Sequence, residues 1–162
     1  MGISQISILN LDLIMTKLNF DISSLHVQDL LPQRAPFIFV DSVLALDPDQ
    51  KKCVTQFLIK EDTLLMDQGH LSEGGLVEVV AQTCALYLGI FNKYILHKEI
   101  QVGFIGAIKK FIIFELPKQG DLLSTEILIT TEFGEMKIAY GTIKCAGRDV
   151  AHGEFKIAIR NE

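Results

Sequence analysis

The sequence has no tryptophan, only four prolines and only three cysteines in 162 residues. Cys53, Cys84 and Cys145 lie far apart and form no CxxC pair. Such a set argues against a disulfide scaffold or a zinc ribbon and points to a reducing compartment, read here as the cytoplasm. No block of lysine or arginine stands out, and the formal charge is −5. A nucleic-acid surface therefore has little electrostatic support. The opening "MGISQISILNLDLIMTKLNF" lacks a basic start and is interrupted by Asn10 and Asp12. It reads neither as a signal peptide nor as a membrane span. Internal repeats, low-complexity tracts and a dividing linker are also missing.

What is present is a large apolar fraction, 49% of the residues. That is enough for one buried core, and the length predicts one domain. Residues 1–20 read as an N-terminal extension and residues 21–162 as the domain. "LHVQDLLPQRAPF" predicts a short helical turn followed by extended chain. "FIFVDSVLAL", Phe37 to Leu46, and "KKCVTQFLI" predict a hairpin around the turn "DPDQ". Leu76, Val80, Cys84, Leu88, Phe91 and Ile95 recur near helical spacing. Val77, Val79, Ala81 and Ala85 widen that stripe, so the helix should be wrapped on most sides.

After the helix the period changes to two. "QVGFIGAIKKFIIFEL" reads as one long strand. "DLLSTEILITTEF" places Leu123, Ile127, Ile129 and Phe133 on one face. "MKIAYGTIKCA" follows a "GE" turn. "HGEFKIAIR" places Phe155, Ile157 and Ile159 inward, with Glu154, Lys156 and Arg160 outward. A hairpin, one long helix and then antiparallel strands predict an α+β domain, one sheet curled around one helix. A run as long and apolar as Val102 to Leu116 would be an aggregation hazard on an open edge. Edge-to-edge pairing into a C2 homodimer, or with a related chain, removes it.

Four motifs, in order, resemble the β-hydroxyacyl-acyl carrier protein dehydratases of the hotdog fold. They are "LLPQRAPFIFVDSV", "QGH" at Gln68 to His70, "EVVAQ" at Glu78 to Gln82, and "GFIGAIKKFIIFELPKQGDLL". The resemblance covers roughly Leu30 to Ile159. Since it begins only after Met15, Met15 is expected to be the natural start. Three departures fall beside the chemistry. "LSEGGLV" is several residues shorter than the family's segment between histidine and glutamate. Leu71–Ser72 replaces its phenylalanine–proline, and Gln33 stands where its opening motif has histidine. The short segment is similar to the divergent hotdog dehydratases of aryl-polyene and flexirubin-type pathways, some of which serve as partner subunits.

The resemblance implies dehydration of 3-hydroxyacyl thioesters on an acyl carrier protein. That reaction needs a base at C2, an acid at the C3 hydroxyl, and donors at the thioester carbonyl. His70 would be the base, since imidazole titrates near working pH. Glu78, an acid on the first turn of an apolar helix, would be the acid or water-orienting group. Its carboxyl could hold a proton near neutrality if buried. Backbone N–H groups near Gly74 and Gly75 would polarise the carbonyl. By the resemblance, His70 and Glu78 meet across the dimer interface. Phe37, Phe104 and Ile105 are candidates for the mouth of the acyl slot, and Lys109 and Lys110 for contact with the acidic carrier.

Plainer roles compete for each residue. Glu78 would suit the positive end of the helix dipole. His70 could sit in a turn, and Gly74–Gly75 could be a tight helix entry. Gln82 reads as a structural hydrogen-bonding residue and Cys84 as core. "GHLSEG" does not match the G-x-S-x-G elbow, which argues against Ser72 as a nucleophile. His26, His97 and His152 share no ligand spacing with His70, and His70 with Glu73 does not define a metal site. "GFIGAIKK" is not a phosphate loop, so neither a cofactor nor a metal is implied. A hotdog thioesterase, with Glu78 activating water, and a noncatalytic partner subunit are the rival functions.

Overall fold

The computed structural model describes residues 18–160. The proposed start at Met15 lies outside the described residues. Leu18 is buried in the core and Phe20 stacks on Tyr94 at 4.6 Å. Two short 3₁₀ turns follow, Ile22–Ser24 and Val27–Asp29. Asp21 caps the first by accepting from the Ser23 N–H at 2.9 Å.

Six long strands form one antiparallel sheet. They are β1 (Ser42–Asp47), β2 (Lys52–Leu58), β5 (Gly103–Ile113), β6 (Leu122–Phe133), β7 (Met136–Cys145) and β8 (Arg148–Ile159). Their spatial order is β1-β2-β6-β7-β8-β5. A two-stranded hairpin, β3 (Met66–Asp67) with β4 (His70–Leu71), stands apart and leads into helix α1 (Glu73–Ile90). A π-helical turn, Phe91–Ile95, ends it. The predicted order and the α+β hotdog architecture both hold.

The helix begins three residues earlier than its apolar run suggested. Ser72 explains this: its hydroxyl accepts from the Gly75 N–H at 3.3 Å and caps the first turn. Gly74 and Gly75 therefore lie in the first helical turn.

The segment Glu73–Ile95 is long and apolar enough to cross a membrane, yet 67% of its most apolar window is buried inside the fold. Val79, Val80, Leu86 and Ile90 lie fully buried, as do the inward strand residues Leu123, Ile127, Ile143 and Phe155. Helix and sheet meet without a spacer where Gly141 of β7 faces Val80. A Cβ on Gly141 would stand 2.5 Å from Val80 Cγ1. Gly141→Ala should therefore cost about 1–3 kcal/mol, because a filled core cannot accept a methyl without strain. Urea unfolding checks this, and an unchanged midpoint would show that the contact yields freely.

Two strand expectations need correction. Phe133 does not share the inward face with Leu123, Ile127 and Ile129: it is 77% exposed. A register shift in the β6–β7 ladder between Ile129 and Thr131 breaks the alternation and turns Phe133 outward. The first strand starts at Ser42 rather than Phe37. Upstream, at Phe37 and Phe39, backbone groups bond the Gln82 side chain instead of a neighbouring strand.

Both rims of the sheet are irregular. On β1 the register shifts between Val43 and Ala45. On β5 it shifts twice, between Ile105 and Ala107 and between Lys109 and Ile112. At the second shift Lys110 takes a left-handed φ of 51°. The bulge lies against Gly153, where a Cβ would come 2.8 Å from Phe111 Cα.

Candidate active site

The β3–β4 hairpin is closed by two residues, Gln68 and Gly69, with φ of 47° and 79°. Positive φ at both is the type I′ signature, whose twist matches the strands it joins. Alternation then sends Leu71 into the core and leaves His70 exposed. The hairpin is tied on both sides. The Leu71 N–H donates to Pro117 O at 2.7 Å, the Gln119 N–H to Gly69 O at 3.2 Å, and the Ser72 N–H to Leu65 O at 2.9 Å. His70 also stands opposite Lys118 in a single antiparallel bridge.

The imidazole Nδ1 lies 3.1 Å from Gln68 O. A carbonyl oxygen only accepts, so Nδ1 carries the proton there and the neutral ring keeps its lone pair on Nε2.

Glu78 sits on the second turn of α1, not the first, and is half-buried. It is six residues beyond the Ser72 cap, while the dipole effect fades within the first turn. Glu73, the acid in that turn, is better placed for that role. Glu78 Oε2 instead accepts from Gln82 Nε2 at 3.1 Å. Gln82 is fully buried. Its Oε1 accepts from the Phe39 N–H at 2.8 Å, and its Nε2 also donates to Phe37 O at 3.2 Å. One amide thus joins the helix, the Phe37–Phe39 segment and the Glu78 carboxylate. Among the described residues, His70 and Glu78 make no hydrogen bond within one chain.

At the helix start, Gly75 N–H is taken up by Ser72 and Leu76 N–H donates to Ser72 O. The N–H groups of Glu73 and Gly74 are the ones with no acceptor one turn back. Of the two glycines, Gly74 is therefore the one whose N–H the Ser72 cap does not engage. Ser72 acts as a helix cap. Burial pushes the Cys84 thiol up to about 12, so it is held as a neutral core side chain.

Residues 25–160 match the family model described as ApeP-like, ApeP dehydratase. The chain belongs to the ApeP-like dehydratase family. The expectation of a hotdog dehydratase, including its divergent branch, holds. A 3-hydroxyacyl-[acyl-carrier-protein] dehydratase FabZ of Xylella fastidiosa (strain M23) is 26% identical over 148 residues, covering 88% of this chain and 92% of that one. The solved dehydratase heterocomplex ApeI:P from Xenorhabdus doucetiae aligns with a TM-score of 0.76 at 20% identity. That alignment covers 85% of this chain and 93% of that one. A hypothetical thioesterase from Streptococcus pneumoniae TIGR4, solved with coenzyme A, aligns with a TM-score of 0.59 at 13% identity. It covers 75% of this chain and 86% of that one, and the likeness is one of fold.

In this ApeP-like chain the remaining candidates are spread out. Phe37 is half-buried, packs edge-on against Phe39 at 5.1 Å, and adjoins the Glu78–Gln82 turn through its carbonyl. Phe104 and Ile105 are consecutive on β5 and face opposite ways. Ile105 packs against the core while Phe104 is 52% exposed. Only Ile105 thus stands on the helix side. Lys109 and Lys110 are exposed at the second β5 bulge. A cleft of about 710 Å³ opens between the Leu25–Asp29 turn, Pro36 and the Phe57–Thr63 region, but neither His70 nor Glu78 lines it.

Sequence reasoning missed Gln82 as the holder of Glu78 and Lys118 as the neighbour of His70. The first was legible in principle, because residues 78 and 82 are four apart on one helix face. The second depends on a long-range bridge that no local pattern reveals.

Proposed function

We propose that this chain removes water from 3-hydroxyacyl thioesters on an acyl carrier protein, giving trans-2-enoyl thioesters for fatty-acid or polyene-type synthesis. The observation that carries the proposal is the His70 ring, exposed and with Nδ1 turned to Gln68 O so that Nε2 is the base. Nε2 takes a proton from C2. Glu78, supplied by the neighbouring subunit, gives a proton to the C3 hydroxyl, which leaves as water. The Gly74 N–H supports the thioester carbonyl oxygen as charge develops there.

The β5 rim is where the second subunit belongs. It is exposed and apolar, with Phe104, Ile108, Ile112 and Phe114 all solvent-facing. Pairing two such rims satisfies their backbone groups and covers this surface. The assembly is a homodimer or a pair with a related hotdog chain. The heterocomplex nature of the solved ApeI:P relative favours keeping that second form in view. Ile105 and Phe37 flank the acyl entrance, and Lys109 and Lys110 meet the acidic carrier. The three buried thiols suit a reducing compartment, and we place the protein in the cytoplasm.

The test is the purified chain with 3-hydroxyacyl- and enoyl-carrier substrates, followed for both enoyl formation and thiol release. Enoyl formation without thiol release is expected. Reversing both Lys109 and Lys110 should raise KM for carrier substrates and leave kcat unchanged. Thiol release alone would make the protein a thioesterase. Turnover only after adding a related hotdog chain would make it a partner subunit.

A further inference from the structure

We propose that Lys118 is a further catalytic residue, the cation that meets the thioester oxygen as the C2 proton leaves. The proposal rests on His70 being the base. His70 and Lys118 form an antiparallel bridge. Its hydrogen bonds, Leu71 N–H to Pro117 O and Gln119 N–H to Gly69 O, lie on either side of the pair and not between its two members. That makes it a non-hydrogen-bonded pair, the closer kind, with Cα atoms typically about 4.5 Å apart. Paired side chains of this kind leave the same face, so the lysine stem rises beside the imidazole.

The other neighbour of His70 is Asp67, its partner across the β3–β4 hairpin. By backbone register His70 therefore has Asp67 on one side and Lys118 on the other. Asp67 has the wrong sign to support an oxyanion; Lys118 has the right one. Of the two acids three residues away in the sequence, Asp121 accepts from the Lys118 backbone N–H at 2.9 Å and Glu115 pairs with Arg148 at 3.2 Å. Lys118 is exposed and makes no ion pair among the described residues. By contrast, Lys51, Lys52, Lys137 and Lys144 are each paired with a carboxylate.

The helix start shows why such a cation is useful. Ser72 has taken the Gly75 N–H, which leaves few backbone donors for the carbonyl. When His70 Nε2 accepts the C2 proton, the electron pair of the C–H bond moves toward the thioester oxygen. An ammonium group has three donors and a full charge to place there. The charge is released again as the C3 hydroxyl departs with its proton from Glu78.

The experiment compares wild-type protein with Lys118→Met, Lys118→Arg and His70→Ala, measuring kcat and KM for enoyl formation and thermal unfolding for each. Removing an oxyanion donor can cost about 10²–10³ in kcat. Lys118→Met should lose at least about tenfold in kcat, with KM and unfolding temperature little changed. Lys118→Arg, which keeps the charge, should recover most of the rate. Wild-type kcat in Lys118→Met beside an inactive His70→Ala overturns the lysine's role and leaves the histidine's intact. A loss confined to KM also overturns it, because it makes Lys118 a carrier contact. Full activity in His70→Ala, or no turnover by wild-type protein, overturns both readings.

Discussion

His70→Ala, and separately Glu78→Gln, should each lower enoyl formation by about 10²–10⁴-fold in a protein that still folds, the range expected for losing a positioned base or acid. The fold should survive both changes for different reasons. His70 projects from a hairpin held by backbone bonds to Pro117 and Gln119 and by the Ser72–Leu65 bond at its base, none of which involves its ring. Glu78→Gln keeps the shape of the side chain and an oxygen that can accept from Gln82. The losses should fall on kcat more than on KM, because proton transfers belong to the transition state. Circular dichroism and unfolding curves verify the fold, and single-turnover enoyl formation reads the chemistry. If either folded variant retained wild-type turnover, that residue would be dismissed from the reaction. Mixing the two variants adds a sharper result. If the pair meets across subunits, a mixed dimer regains one intact site, and some activity returns.

The second large effect belongs to Gln82, whose replacement by leucine should destabilise the protein by roughly 2–4 kcal/mol and also lower kcat. Leucine fills a similar volume but removes every hydrogen bond of the buried amide. The Phe39 N–H and the Phe37 carbonyl lose their partner inside the protein, and unpaired buried groups are costly. The Glu78 carboxylate loses its donor at the same time. Gln82→Glu keeps the outline but cannot donate to Phe37 O and sets a second carboxylate against Glu78. It should be impaired at least as much. Urea unfolding together with kcat on the same preparation tests the idea. Normal stability in Gln82→Leu would mean that the Phe37–Phe39 segment does not depend on the helix.

Much of this architecture was legible in the sequence because the hydrophobic pattern is strong. The alternation at Phe155, Ile157 and Ile159, and the helical recurrence from Leu76 onward, are direct records of burial. Failures came where a side chain or a bulge replaced a regular ladder. Phe37 to Asp41 reads as strand by composition, yet an amide from the helix holds two of its backbone groups. Asp41 does similar work, accepting from the Leu58 N–H at 2.7 Å through its carboxylate. Phe133 was misplaced because a bulge has no local apolar signature. The apolar run that begins at Leu76 does not reveal the helix start at Glu73, because the cap is the polar Ser72. At the site, His70 and Glu78 stood out by motif and spacing. Their holders, a carbonyl two residues before the histidine and an amide four residues after the glutamate, act through geometry that only the folded chain fixes.

The bulges on the two outer strands have a consequence for growth. A flat sheet with two smooth margins could add copy after copy and become a fibre. Here neither margin is smooth, and the margin at β5 carries a left-handed lysine in mid-strand. Such a margin offers poor footing to an added strand. The irregularities make each margin a poor template for strand-by-strand growth into a fibre.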